Sequence, residues 1–153
     1  MKYEIVHVNE KMVEGLSKKT TNQNMQAVGD IGATWQQFLS GVYAQIERRV
    51  DGKTIGLYTD YEGDFTMPYN FMACCEVTSF NTVNAPLAAR KIPAGKYAMF
   101  TTRGHYQQAV VELWQIIWSL NLERAYDCDF EVYHNNSEDM NDQVIDIYIS
   151  LRL

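Results

Sequence analysis

Two strand-like runs near the C-terminal end of the sequence bring an acid together with tyrosines. Polar and apolar side chains alternate along residues 129–133 and 144–151, which is the pattern of half-buried β-strands. Because successive strand side chains point to opposite faces, Glu131 and Tyr133 share one face of the first run. We expect Tyr148, on the polar face of the second run, to lie on the same face as the acid, while the apolar faces cover a core. A carboxylate beside tyrosine rings predicts a pocket for an organic cation.

The chemistry of such a pocket follows from desolvation. A carboxylate in apolar surroundings loses its hydration, which raises its pKa unless a partner supports the charge. An organic cation is such a partner, and each well-placed aromatic ring adds about 0.5–2 kcal/mol of cation–π attraction. The candidate walls are Tyr58, Tyr133 and Tyr148, with Trp114 and Trp118 on a helix behind them and Phe71 and Tyr97 as looser candidates.

Glu131 also has two simpler interpretations. It can be a solvated strand residue, or it can be paired with Arg103 or Arg124. Other chemistries have less support, since the three histidines and three cysteines show no metal-ligand spacing. The sequence contains no phosphate-binding glycine loop and no nucleophile motif. We therefore expect no metal, no cofactor and no catalytic residue.

Composition limits the classes of partner. The 153 residues are 46% hydrophobic and 12% aromatic, enough for the core of one domain. A net charge of −6 argues against binding to nucleic acid or to an anionic membrane surface. No apolar run has the length of a membrane span, and the N-terminus does not resemble a signal peptide. With Cys74 and Cys75 adjacent and an odd third cysteine, we expect reduced thiols and a cytoplasmic protein.

The secondary-structure elements follow from periodicity. Three- and four-residue spacing predicts one amphipathic helix over about 31–46, with Trp35 in its core-facing stripe, and a second over about 105–120. Trp114 and Trp118 belong to the second stripe, and their assignment to core or to ligand contact stays open. Alternation predicts further strands over about 3–8, 12–20, 54–61, 71–78, 87–92 and 97–103.

The same order of elements occurs twice. Strands, a helix and two further strands recur in halves of about 1–80 and 86–153, joined by the linker-like residues 80–86. Short hairpins with intervening helices are typical of an α+β fold with its helices on one side of an antiparallel sheet. We therefore expect a structural duplication within a single domain spanning 1–153.

The two copies differ at the acidic position. When residues 54–58 are placed on 129–133, Tyr58 matches Tyr133 and Gly56 matches Glu131. Only the second copy carries the acid, so the duplication predicts one asymmetric site.

Several segments together resemble the GyrI-like effector-binding domain, which is attached to AraC- and MerR-type regulators and also occurs alone. The resemblance covers nearly the whole chain, and its order and spacing are more specific than any one segment. The matching segments of the second half are 92–100, Gly104, 111–118, 129–133 and 145–149, and those of the first half are 13–17, Thr20, Asn22, Ile31, Trp35 and 57–62.

The resemblance implies a fold of two βαββ copies related by a pseudo-twofold axis. It also implies that hydrophobic, often cationic, aromatic compounds bind in a cleft between the copies, beside a buried glutamate. By motif, Glu131 matches that glutamate and Tyr148 matches an aromatic residue on the last strand. Because the chain starts at the first predicted strand, we expect no helix-turn-helix and no direct DNA binding. It is similar to the free-standing members, some of which are carried on mobile gene cassettes.

The resemblance leaves more than one function open. The preferred hypothesis is a cytoplasmic protein that binds lipophilic cations, linked to transcriptional regulation or to drug sequestration. Its partners would be the small molecule and either a second copy, paired through an edge strand, or a separate DNA-binding regulator chain. One alternative is a hydrolase of reactive electrophilic compounds, with Glu131 and Tyr148 in general acid–base roles. Another is an inhibitor that acts by contact with a protein such as gyrase.

Overall fold

The computed structural model describes residues 2–80 and 86–152, which form an eight-stranded antiparallel sheet with helices on one side. The predicted linker falls mostly outside these ranges. No helix in the described ranges is both long and apolar enough to cross a bilayer. The strands are β1 (Glu4–Val8), β2 (Lys11–Thr20), β3 (Thr54–Thr59), β4 (Tyr69–Val77), β5 (Ala88–Ile92), β6 (Gly95–Gly104), β7 (Cys128–Tyr133) and β8 (Gln143–Ser150). The helices are α1 (Gln26–Gln37), the single-turn α2 (Tyr43–Gln45) and α3 (Gln108–Ser119).

The order of strands in the sheet shows the duplication. The strands lie in the order β1-β6-β8-β7-β3-β4-β2-β5, and exchanging the two halves of the chain simply reverses that order. One shift in numbering carries Glu4–Val8 onto Ala88–Ile92 and also Lys11–Thr20 onto Gly95–Gly104. The predicted α+β fold with a duplicated βαββ repeat is therefore confirmed, and each repeat carries one additional short strand in front.

The additional strands are exchanged between the repeats. Strand β1 pairs with β6 of the second repeat, and β5 pairs with β2 of the first. Only two residues join β1 to β2, and two join β5 to β6, although the joined strands lie near opposite ends of the sheet. Since such a connection spans at most about 11 Å, the sheet must curl until its ends approach each other. An apolar cluster that includes Val13, Leu57 and Phe130 fills the concave face, away from the helices.

The opposite face packs against the helices. Helix α3 places Leu113 and Ile117 on Ile147 of β8, and all three side chains are fully buried. On the first repeat, Phe38 packs in the same way against Phe71 of β4. This burial provides the main favourable term for folding and fixes both helices above the sheet.

The first helix differs from its prediction. It begins at Gln26, earlier than expected, and its regular part ends at Gln37 instead of continuing to residue 46. The chain continues as an irregular π-helical turn over Phe38–Val42, in which Gly41 has a φ of 147°. Glycine adopts this conformation without strain and other residues do not, so a continuous helix across this point was a wrong prediction.

Candidate functional site

Glu131 lies at the centre of the sheet, on the face that carries the helices. Its side chain is 1% exposed. The Tyr58 hydroxyl donates a hydrogen bond to Oε2 at 2.8 Å, and the Trp114 indole N–H donates to the same oxygen at 2.6 Å. The Tyr133 hydroxyl donates to Oε1 at 2.9 Å. The structure thus places three of the predicted aromatic residues directly on the predicted acid.

The acid is not paired with a basic residue. No salt bridge among residues 2–80 and 86–152 includes Glu131. The two arginines considered as partners bind elsewhere, Arg103 to Asp142 and Arg124 to Asp129. The solvated interpretation does not hold either, since the side chain is buried. All three hydrogen bonds to the carboxylate therefore come from neutral groups.

Desolvation dominates the ionisation of this cluster. Burial raises the pKa of Glu131 above its usual value, and the hydrogen bonds from Trp114, Tyr58 and Tyr133 oppose that rise. Burial, together with the nearby carboxylate, raises the pKa of Tyr58 and of Tyr133 as well. The hydroxyls accordingly stay protonated donors, and an ionised Glu131 is stabilised by their dipoles without a counter-charge among the described residues.

A cleft of about 1140 Å³ opens above Glu131, between α1 and α3. Its rim carries exposed apolar side chains, among them Val28 on α1 and Val111 on α3. All three tryptophans of the chain border it. Its aromatic wall includes Trp35, Tyr58, Tyr61, Trp114, Trp118 and Tyr133. A concave apolar site with few polar groups is the usual form of a small-molecule pocket.

The two tryptophans of α3 occupy different depths in this cleft. Trp114 is buried and reaches the carboxylate. Trp118, one turn further along the helix, is 43% exposed and stacks on Phe65, with ring centroids 5.9 Å apart. Trp114 therefore joins the floor of the cleft to its wall, while Trp118 lies at its mouth.

Tyr148 does not lie with the acid. In the β7–β8 pairing Tyr148 is opposite Phe130, whereas Glu131 is opposite Ile147. The Tyr148 ring stacks on Phe130 at a centroid distance of 4.5 Å and borders a different cavity, of about 350 Å³, on the concave side. The expectation that Tyr148 shares the face of Glu131 was wrong, because facing residues of paired strands share a face and the register sets which residues face each other.

The two looser candidates do not reach the carboxylate. Tyr97 is buried on the concave side, where its ring meets Phe130 edge-on at 5.5 Å. Phe71 is fully buried beneath the cleft and packs against Tyr58 at 5.2 Å and Trp35 at 6.0 Å. Phe71 thus supports the wall without lining it.

Sequence reasoning missed part of the wall. Trp35, which the helical stripe assigned to the core, is half-buried, borders the cleft and meets the Tyr133 ring edge-on at 5.2 Å. Tyr61 also borders the cleft, and its hydroxyl donates a hydrogen bond to Asp129 at 2.7 Å. The duplication could have indicated this position of Trp35, because the helix of the second repeat also places a tryptophan in the cleft.

A glycine opposite the acid leaves room for one carboxylate. Gly56 of β3 pairs directly with Glu131 of β7, and these two strands lie at the centre of the eight-stranded sheet, where the two repeats meet. A Cβ atom at Gly56 would lie 2.5 Å from Oε1 of Glu131 and 3.3 Å from both Phe71 and Trp35. A side chain at this position of the first repeat would therefore displace the carboxylate of the second.

A duplicated α+β sheet with two helices on one side defines the class of GyrI-like effector-binding domains, and this chain is of that class. The profile of the Cass2 family, the integron-associated effector binding proteins, matches residues 4–151, and the chain belongs to this family. Membership makes it a protein that binds a small-molecule effector.

Three relatives illustrate the similarity. An integron cassette protein from the mobile metagenome of Vibrio cholerae, VCH_CASS2, is 30% identical with a TM-score of 0.78, and the match covers 98% of this chain and 95% of that one. YobU of Bacillus subtilis (strain 168), described as a candidate transcriptional regulator protein, is 28% identical over 158 residues, or 97% and 96% of the two chains. SAV2435, solved bound to tetraphenylphosphonium, shares the fold at 19% identity, with a TM-score of 0.77 and coverage of 99% and 94%.

Proposed function

We propose that this protein captures lipophilic, cationic aromatic compounds in the cleft between α1 and α3. One observation carries the proposal. The Glu131 carboxylate is buried at the floor of an aromatic cleft and, within residues 2–80 and 86–152, is held by neutral donors alone. A cation bound above this carboxylate supplies the positive charge that no described residue provides.

The energetics favour a cationic guest over a neutral one. In a desolvated site, the attraction between a carboxylate and a nearby cation is much stronger than in water. The rings of Trp35, Trp114 and Tyr133 add cation–π contacts of about 0.5–2 kcal/mol each. A net charge of −6 also attracts cations at long range.

The hydrogen bonds to the acid help binding by fixing its geometry. Tyr58, Trp114 and Tyr133 come from β3, α3 and β7, so three separate elements hold the carboxylate in one position. The carboxylate then needs no reorganisation when a guest arrives, which lowers the free-energy cost of binding. The apolar walls accept guests of different shape, which suits a site for a class of compounds.

The biological setting belongs to the same proposal. Since YobU is described as a candidate transcriptional regulator protein, we expect the bound state to act through a separate DNA-binding chain, or to sequester the compound. The acidic composition is unsuited to direct DNA contact. Reduced cysteines, buried and free in the described residues, are compatible with the cytoplasm as the place of action.

Tryptophan fluorescence provides the test, because every tryptophan borders the cleft. We expect tetraphenylphosphonium to quench the emission, and we expect Glu131→Gln to weaken its binding at least tenfold, or about 1.4 kcal/mol. Tyr148→Phe is the matched control, since this ring lies on the other face of the sheet, and its affinity should equal that of the parent.

Tetraphenylborate, an anion of nearly the same size and shape, tests the role of charge. The parent should bind it much more weakly than the phosphonium. Equal affinity for the two ions, or an unchanged phosphonium affinity in Glu131→Gln, would contradict the proposal.

A further inference from the structure

A second polar group borders the same cleft. The Arg124 side chain is 6% exposed, and one terminal nitrogen donates to Oδ2 of Asp129 at 2.8 Å. Its Nε–H is buried and has no hydrogen-bond partner among the described residues. A buried donor without an acceptor is unfavourable, and Arg124 is one of the residues that line the cleft, so its guanidinium has unused hydrogen-bonding capacity beside the bound guest.

Asp129 cannot supply what is missing. Besides Arg124, it accepts hydrogen bonds from the Tyr61 hydroxyl at 2.7 Å, from the Ser150 backbone N–H at 2.8 Å and from the Ser150 hydroxyl at 3.0 Å. Four donors occupy the lone pairs of its two oxygens. The unused hydrogen-bonding capacity of this cluster is therefore on the guanidinium.

The guanidinium is also held in place. Its central carbon lies 4.3 Å above the centre of the Tyr126 ring and 6.0 Å from that of Trp114. The ion pair with Asp129 fixes a third side. Because Arg124 is positioned before any guest arrives, a hydrogen bond to it requires little ordering.

We propose that Arg124 forms a second subsite, which binds a neutral hydrogen-bond acceptor such as a carbonyl or ether oxygen on the guest bound at Glu131. This inference rests on the proposed function and specifies the class of compound. An ionised Glu131 in the cleft and Asp129 behind Arg124 carry two negative charges, and Arg124 carries one positive charge, which leaves one negative charge. A guest with one positive charge and a neutral acceptor balances that charge, whereas a carboxylate on the guest would face both acids.

The spacing of the two subsites sets the size of the guest. Asp129 and Glu131 are two residues apart on one face of β7, which corresponds to about 7 Å. The Trp114 indole bridges the two subsites, since its N–H donates to Glu131 and its ring faces Arg124. The acceptor should therefore lie about one phenyl ring away from the cationic centre.

Two phosphonium probes of equal charge and nearly equal shape test the subsite. The (4-acetylphenyl)triphenylphosphonium ion carries a carbonyl one ring from phosphorus, and the 4-isopropylphenyl analogue does not. We expect the parent to bind the acetyl probe at least fivefold more tightly. In the double variant Arg124→Met/Asp129→Asn, which keeps the net charge of the cleft, the two probes should bind equally, while tetraphenylphosphonium still binds within threefold of the parent.

Arg124→Lys is the second variant, because it keeps the ion pair with Asp129 but loses the Nε–H. If the double variant does not fold, this variant tests the subsite. We expect it to reduce the preference for the acetyl probe at least twofold. Equal binding of both probes to the parent, or an unchanged preference in either folded variant, would overturn the Arg124 subsite alone. Failure of both phosphonium probes to bind the parent would overturn the proposed function itself.

Discussion

Two buried acids on one strand show how neighbours decide the role of a side chain. Asp129 and Glu131 share a face of β7 and are 0% and 1% exposed. Asp129 is paired with Arg124, whereas the donors to Glu131 in the described part of the chain are all neutral. Asp129 thus completes a structural ion pair, whereas Glu131, when ionised, leaves a negative charge for a cationic guest to balance.

The buried acid should make the unliganded protein less stable at high pH. Burial raises the pKa of Glu131 above its ordinary value of 4.5, so the folded state binds this proton more tightly than the unfolded chain does. The stability that this proton provides is fully present below about pH 4.5 and is lost as the pH rises through the raised pKa. In urea unfolding, Glu131→Gln should therefore gain stability relative to the parent as the pH increases from 5 to 8.

Glutamine is a suitable replacement, because its carbonyl can accept from Tyr58 and Trp114 and its amide can donate to the Tyr133 oxygen. Glu138→Gln, at an exposed loop position, serves as the control and should track the parent at every pH. If Glu131→Gln instead lost stability relative to the parent as the pH rises, the pKa of Glu131 would be lowered by folding and not raised.

Individual residues were predictable where one strand determined them. Glu131 and Tyr133 share a face because they are two residues apart on one strand, and the repeat alignment brought in Tyr58. Tyr148 was misplaced because its face relative to β7 depends on the register between two strands, which alternation within each strand does not define. Trp35 was assigned to the core because an apolar stripe does not reveal where the covering element ends.

Among the elements, the central pair β3 and β7 determines the asymmetry of the site. Gly56 faces Glu131 in this pair, and on the strand next to β3, Phe71 limits the space from the side. The first repeat thus contributes the space and the second contributes the acid. The irregular turn at Phe38–Val42 that follows α1 has no counterpart in the regular helix α3, which adds to this difference between the two sides of the cleft.

Gly56→Ala should disturb the acid directly. Its new Cβ would lie 2.5 Å from Oε1 of Glu131, so the carboxylate must move and its hydrogen bond from Tyr133 should break. We expect a loss of about 1–3 kcal/mol in unfolding free energy, the usual range for an overpacked site, and at least tenfold weaker binding of tetraphenylphosphonium. Denaturation and fluorescence titration measure the two effects.

Gly29→Ala is the control for added bulk, because nothing lies within 4 Å of a Cβ at this position on α1. It should keep the affinity of the parent and gain stability, since alanine is favoured over glycine inside a helix. Parental affinity in Gly56→Ala would mean that the glycine does not make room for the carboxylate.

At the scale of the whole molecule, the two repeats form one sheet and one cleft. The duplication was predictable because local periodicity repeats in the same order in each half. The exchange of β1 and β5 was not, because it depends on pairing between residues far apart in sequence. That exchange curls the sheet, buries Phe130 and Tyr97 on the concave side, and leaves the opposite face to hold Glu131 between the helices.

A crystal structure of the protein with tetraphenylphosphonium would show whether Glu131 receives the cation. We predict the phosphonium in the cleft between α1 and α3, with phosphorus within about 6 Å of a Glu131 oxygen and a phenyl ring against Trp114 or Trp35. A phosphonium bound only in the concave cavity beside Tyr148, or Glu131 joined to a lysine or arginine with the cleft empty, would contradict the account.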